Sequence, residues 1–377
     1  MSSMNIFKKT SYLFISLLGF QTISEARWTL NDVTYLMPLP AQLNEVNVLT
    51  PFSKGNRGTI LPFNIVKNFE ALDKHEALEE SYRKLKVVAI RLDPCFKMSG
   101  ICKSQIRIVF QPLNIRWGKT ISQDTAVHAF YNLSDNEFRE FLRKLEKIKV
   151  ELPASAYSLQ VHPTITKEGY NGKFASSFFP LILSYIGEKN LVRVTAMQLS
   201  VGADKWIFLG FDIENGLVKE ISIPRVKSDS QSFRVATVNG RNFFRGQITP
   251  VPVDSKDLFG ELIVDPKAIL NPEVLKNAAV ATRRIENPDL HSPDTIDCVT
   301  CHLTAPAGGV VFETSPELLM NPEVERWTFS DSLENLTMRK RDVRVLRSLG
   351  YFDSEPITNN RVINESQAVV DYLNFKF

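Results

Sequence analysis

Residues 294–302 read Asp294-Thr295-Ile296-Asp297-Cys298-Val299-Thr300-Cys301-His302, and the last five form a C-x-x-C-H pattern. That pattern is the arrangement used for covalent attachment of c-type haem. Two thiols three positions apart can add to the two vinyl groups on one edge of a porphyrin as thioethers. The imidazole that follows then lies beneath the ring and binds iron as the proximal ligand. With four cysteines and five histidines in 377 residues, chance assembly of the pattern is expected about once in a thousand such chains or less. The expected cofactor is therefore one covalent haem c, held by Cys298, Cys301 and His302.

Three other uses of the same residues compete with this one. A redox dithiol of the thioredoxin kind needs a βαβ context with its first cysteine at a helix N-terminus, whereas Asp294-Thr295-Ile296-Asp297 reads as a loop with no strand before it. A zinc site fits poorly, because adjacent Cys301 and His302 do not easily ligate one tetrahedral ion and no second Cys/His cluster completes the set. A structural Cys298–Cys301 disulfide would leave His302 without a purpose.

Outward from the motif, Asn271-Pro272 reads as an N-cap and first-turn proline, followed by a helical stripe of Val274, Leu275, Ala278, Ala279 and Ala281 or Thr282. Asn287-Pro288 and Ser292-Pro293 then break the pattern. A helix is read over about Asn335–Leu349, closed by Gly350 as a left-handed cap. A last one covers about Asn364–Phe375, with Ala368, Val369, Tyr372 and Leu373 on its apolar face. In this order of helix, C-V-T-C-H motif and closing helix, residues from about 266 to 377 resemble a monohaem c-type cytochrome domain of the class I kind. The resemblance covers less than a third of the chain. It implies electron transfer, thioethers from Cys298 and Cys301, proximal ligation by His302 and a C-terminal helix packed across the motif. The first helix ends about ten residues before Cys298, where the family's runs into the motif. The family places a methionine on the other side of the iron, and this sequence offers Met338, 36 residues beyond His302, or Met320, 18 beyond. His291 is a third candidate and an open sixth position a fourth possibility; Met338 is preferred because more chain is available to wrap the ring.

Upstream, the sequence is rich in strands: Lys86–Leu92, Gln105–Phe110, Leu191–Leu199, Trp206–Ile213, Leu217–Ile223, Ser232–Val238 and Leu258–Val264 are dense in Val, Ile, Phe and Thr. Asn215-Gly216 predicts a tight hairpin turn. Ser134 and Glu137 make a capping box for a helix through Ile148, and a second helix covers roughly Lys173–Ile186. Cys95 and Cys102 flank a short turn, and neither is followed by histidine. In an exported protein they are expected to form a disulfide worth about 2.5 kcal/mol. The expected fold class is thus a β-rich (α+β) N-terminal domain, 27–264, plus an all-α cytochrome c-like C-terminal domain, 265–377. No phosphate-binding loop, nucleophile elbow or H-E-x-x-H motif is found in the first, which resembles no family of known activity.

Residues 1–26 carry Lys8 and Lys9, an apolar run Tyr12–Phe20 and small residues before Arg27, the layout of a secretory signal peptide. The run falls well short of the ~20 residues that span a bilayer, so a periplasmic or secreted protein without a membrane span is expected. Lys+Arg 45 against Asp+Glu 42, a net +3, is too balanced for a nucleic-acid partner. The sequence therefore points to an exported, bacterial haem protein that passes single electrons to a redox partner protein. The alternatives are a periplasmic oxidoreductase whose N-terminal domain binds substrate and feeds the haem, and a haem-based sensor or binding module.

Overall fold

The computed structural model describes residues 28–376 except 70, 73–75, 95–102, 153–157, 200–204, 225, 227, 239–240, 247–253, 266, 294, 330–345 and 347. The helices are α1 (Leu30–Val33), α2 (Phe63–Val66), α3 (Leu78–Lys84), α4 (Asp135–Ile148), α5 (Pro163–Glu168), α6 (Lys173–Tyr185), α7 (Gly260–Val264), α8 (Pro272–Glu286), α9 (Cys298–Thr314), α10 (Pro322–Glu325) and α11 (Asn360–Lys376). The strands are β1 (Thr34–Leu36), β2 (Lys54–Gly55), β3 (Gly58–Thr59), β4 (Leu85–Asp93), β5 (Ser104–Arg116), β6 (Lys119–Ser122), β7 (Ala126–Leu133), β8 (Leu191–Leu199), β9 (Lys205–Glu214), β10 (Leu217–Glu220), β11 (Ser230–Val238), β12 (Arg241–Gly246), β13 (Leu349–Phe352) and β14 (Glu355–Thr358). Among the described residues one ten-stranded sheet runs β1-β4-β5-β7-β8-β9-β11-β12, with β6 added to β5 and β10 to β9. All of its ladders are antiparallel.

Local sequence accounts for several of these elements. Asn215 and Gly216 take φ of 53° and 78° between β9 and β10, the left-handed pair that a two-residue hairpin requires. The Ser134 hydroxyl accepts from Glu137 N at 3.3 Å while Glu137 Oε2 accepts from Ser134 N at 2.8 Å, closing both orphan donors at the start of α4. Phe138, Phe141, Leu142 and Leu145 then bury one face of that helix.

Because side chains alternate along a strand, the sheet has two unlike faces. Ile90, Ile106, Ile108, Val127, Ala129, Tyr131, Val194, Phe211 and Ile213 are buried in one cluster with α4 and α6. There the Tyr35 ring lies 4.3 Å from that of Phe178, and Phe69 lies 4.9 Å from Phe211. On β9 the alternate residues Trp206 and Phe208 join Met197 and Phe233 in a second cluster, with α7, α8 and α9. The segment that carries the C-x-x-C-H motif is thus laid on the sheet and shares its core.

Three expectations are corrected. The C-terminal part is not an all-α cytochrome-like domain: β13 and β14 form an antiparallel hairpin, and Val362, Ile363, Val369, Val370 and Leu373 of α11 pack into the sheet's first cluster. An apolar stripe shows that a helix is buried on one side but not against what. Leu349, read as the end of a helix, opens β13, and Gly350 pairs with Ile357 inside the strand; the earlier part of that helix lies outside the described residues. Leu258–Val264, read as a strand, contains α7, with Phe259 and Leu262 buried, because so short an apolar run does not separate the two periods.

Buried charge ties α11 to the rest. Glu365 pairs with Arg91 of β4, and its other oxygen accepts from Arg361 Nε at 2.8 Å. Asp93 binds Arg91 at 2.6 Å and Arg107 at 2.7 Å. Arg361 also donates to the Ile285 carbonyl and, at 2.9 Å, to that of His291, and Asn364 donates to the Glu286 carbonyl at 3.0 Å. These bonds fasten the C-terminal end of α8 to both α11 and the sheet.

Candidate functional site

α8 forms as the sequence predicts. Asn271 Oδ1 accepts from Glu273 N at 3.0 Å, Pro272 occupies the first turn, and Val274, Leu275, Ala278, Ala279, Ala281 and Thr282 are all buried. α9 packs along it: a methyl group placed on Gly308 of α9 would rest in ordinary van der Waals contact with Thr282.

The loop after α8 ends at Asp297, which caps α9, so Cys298 is the first helical residue. Asp297 is fully buried. Its Oδ1 accepts from Thr300 N at 2.9 Å and from Gln231 Nε2 at 2.8 Å, while Oδ2 accepts from the Thr300 hydroxyl at 2.5 Å. Gln231 of β11 returns the contact, its Oε1 accepting from Val299 N at 3.1 Å. The first turn of the helix is therefore bolted to the sheet through one carboxylate and one amide. At about 100° per residue, positions 298, 301 and 302 fall within an arc of about 100° on one face. Further along, Pro306 lies inside α9. It has no N–H for the carbonyl four residues back, that of His302, which sets the motif's turn apart from the rest of the helix.

Cys298 and Cys301 are free thiols, each partly exposed. Close-packed protein around the sulfurs pushes the Cys298 thiol up to about 12, and the Cys301 thiol to about 11, against the opposing influence of Arg361. His302 places Nδ1 2.6 Å from the Leu346 carbonyl oxygen. A carbonyl can only accept, so Nδ1 carries the proton and the neutral ring's lone pair is on Nε2. The Phe208 ring, 4.7 Å away and inclined by 40°, packs against the imidazole.

This donor set fits a covalent haem: two unjoined thiols and one imidazole share a helix face, and the imidazole is anchored through the nitrogen that does not bind metal. It fits a reactive dithiol less well. Cys298 does open a helix, but the element before it is α8 and not a strand, and both thiols are raised where an attacking thiolate needs to be lowered. Among the described residues no group of three or more His, Cys, Asp and Glu side chains is arranged to hold a metal ion.

The other candidates are dispersed. Met320 ends a short 3₁₀ turn and is 77% exposed. His291 is buried with Nε2 3.4 Å from Asp257 Oδ2, a carboxylate that also accepts from Arg284 Nε at 2.7 Å, so this imidazole faces a salt-bridge cluster. Met338, the Cys95–Cys102 pair and the leader-like residues 1–26 lie outside the described residues. Four contributors have no part in the sequence reading: the Asp297 cap, Gln231, Phe208 and the Leu346 carbonyl. Only the first has a signal, an Asp three residues before a Thr at a helix start. Among the described residues no helix is long and apolar enough to cross a membrane. No protein-family model, no curated protein and no solved structure matches the chain.

Proposed function

We propose that this chain is an exported haem protein that carries one haem c and passes single electrons to a redox partner protein. In this reading Cys298 and Cys301 would hold the group through thioethers, and His302 would bind the iron through Nε2. The bound group supplies a one-electron Fe(III)/Fe(II) couple. The observation that carries the proposal is the Nδ1–H to carbonyl bond of His302. It fixes the tautomer and the ring orientation that a proximal ligand needs, in a helical turn that also presents both thiols.

The chain's own residues have distinct tasks around that turn. Asp297 and Gln231 hold its backbone to β11, Leu346 orients the imidazole, and Phe208 restrains the plane of the ring. Arg361 and Glu365 bring opposite buried charges to bear on Cys301, so that α11 sets the local field at the attachment edge. Met338 or Met320 would complete the iron's ligation, or no side chain would; His291, 3.4 Å from Asp257, would not.

The test is a pyridine haemochrome spectrum of protein matured alongside the haem-attachment machinery, followed by acid-acetone extraction. Haem that stays with the polypeptide supports the proposal; haem that extracts, or none, refutes it. Carbon monoxide difference spectra of the ferrous protein then separate electron transfer, with a firmly held sixth ligand, from ligand sensing.

A further inference from the structure

We propose that the β5–β6 hairpin is a membrane-docking finger that inserts Trp117 into the surface of an anionic phospholipid bilayer. β5 pairs with β7 only as far as Phe110 and with β4 as far as Pro112. Beyond that, Leu113–Arg116 pair with β6 alone. The hairpin therefore extends about 13 Å past the other strands at the usual rise per residue, with Thr120, opposite Ile115, buried and donating to the Pro40 carbonyl at 2.6 Å, so that residues 115–119 form its exposed tip.

Three observations concern its tip. Trp117 and Gly118 form the turn with φ of 51° and 75°. Gly, Asn and Asp are the residues suited to such a turn, and a tryptophan there carries backbone strain that folding does not require. Trp117 is 87% exposed, and Ile115, on the strand face whose previous member Leu113 is buried, is 49% exposed. Apolar surface thus continues past the point where the protein covers it. Finally, Arg116 and Lys119 pair across the turn, Arg116 lying 4.1 Å over the Trp117 ring, and no acidic residue occurs from 104 to 123. At the hairpin's base the backbone of Asp353 bridges to that of Ser122, about 10 Å along the strand from Lys119. An aromatic ring and an aliphatic side chain flanked by two cations match the interface of a bilayer with anionic headgroups, where tryptophan partitions and each Lys or Arg gains affinity.

The finger shares one end of the sheet with the motif. Phe110 pairs with Val127, Ala126 with Met197 and Met197 with Phe208, the residue packed on His302. The proposal does not depend on haem and can fail or hold independently of it.

The experiment is co-sedimentation of the chain beginning at Arg27 with vesicles of phosphatidylcholine alone or containing 30% phosphatidylglycerol, with brominated chains as a fluorescence quencher. Binding to the anionic vesicles with quenching is expected. Trp117→Asn keeps a residue suited to the turn and is expected to fold at least as stably as the parent while losing binding at least about tenfold. Arg116→Gln with Lys119→Gln is expected to lose about 30-fold on anionic vesicles and nothing on neutral ones. Failure of the parent to sediment overturns the proposal, and so does binding that W117N retains, which is adsorption of net charge alone. Should W117N not fold, Trp117→Gly, which also suits positive φ, is read in its place.

Discussion

Replacing Asp297 by alanine tests whether the first turn of α9 is held as described. The side chain is fully buried and accepts from Thr300 N, the Thr300 hydroxyl and Gln231 Nε2. Loss of an N-cap costs about 1 kcal/mol. Leaving the Gln231 amide without its acceptor, where no water can replace it, costs about 1–3 kcal/mol more, while relief of a buried charge returns part of this. The net expectation is about 2 kcal/mol, concentrated in residues 298–302. Hydrogen–deuterium exchange followed by mass spectrometry reads this locally: amides of the 298–305 segment should exchange about thirtyfold faster than in the parent, with α4 unchanged. Asp297→Asn retains one oxygen acceptor and should show about half the effect in free energy. Haem per polypeptide, from the haemochrome band, should fall in the same order. If exchange in D297A rises less than about threefold, or rises equally in α4, the cap does not hold the motif's turn.

The remaining expectations concern titration and attachment. In haem-free protein, iodoacetamide at pH 8 should label Cys298 and Cys301 far more slowly than after denaturation, since burial pushes both thiols up, to about 12 and about 11; labelling as fast as in the denatured chain would favour the dithiol reading. Cys298→Ser and Cys301→Ser should each leave a single thioether, and the double variant should release its haem on acid-acetone extraction. His162 stacks against both Tyr35 and Phe174, its centroid 5.1 Å from each, and burial lowers its pKa from 6.5 to about 4. A base with a lowered folded-state value destabilises the fold when it must charge, so about 3 kcal/mol should be lost as pH falls from about 6.5 to 4. Urea midpoints measured across that range should flatten in His162→Asn, which can still cap α5. Burial alone raises the Glu365 carboxyl, but Arg91, Arg361 and Arg107 hold it well below the usual carboxylate range. Its contribution should be complete above about pH 4.3 and fade only under stronger acid. Glu365→Gln strands buried guanidinium groups and should cost about 3–5 kcal/mol by urea titration at pH 7.

The parts of the structure legible in the sequence are those fixed by a side chain acting on its neighbours. The Ser134 and Glu137 box, the Asn215-Gly216 turn and the Asn271-Pro272 start each satisfy backbone groups within a few residues, so the letters carry the geometry. Leu258–Val264 reads as a strand but contains a helix, and Leu349 reads as the end of a helix but opens a strand, because in such short runs local pattern is weak and packing decides. The fold class failed for a related reason: the stripe on α11 is real, yet Val362, Val369 and Leu373 bury against a sheet built 150 to 340 residues earlier.

The candidate site divides along the same line. Thioether formation and iron ligation dictate two cysteines and a histidine at fixed spacing, which is why Cys298, Cys301 and His302 stand out at once. Their support is not written locally. Leu346 contributes a carbonyl, which any residue type would supply. Gln231 and Phe208 come from strands whose register, and not whose composition, brings them under α9. A motif of this kind names the chemistry but leaves open what it is mounted on. Here the mount is a sheet whose other face is an ordinary apolar core, so His302 is restrained by Phe208 of β9 and the motif's turn by Gln231 of β11. On the proposed haem reading, substituting either sheet residue should therefore lower the haem held per polypeptide without touching Cys298, Cys301 or His302, an outcome that an isolated helical haem domain does not predict.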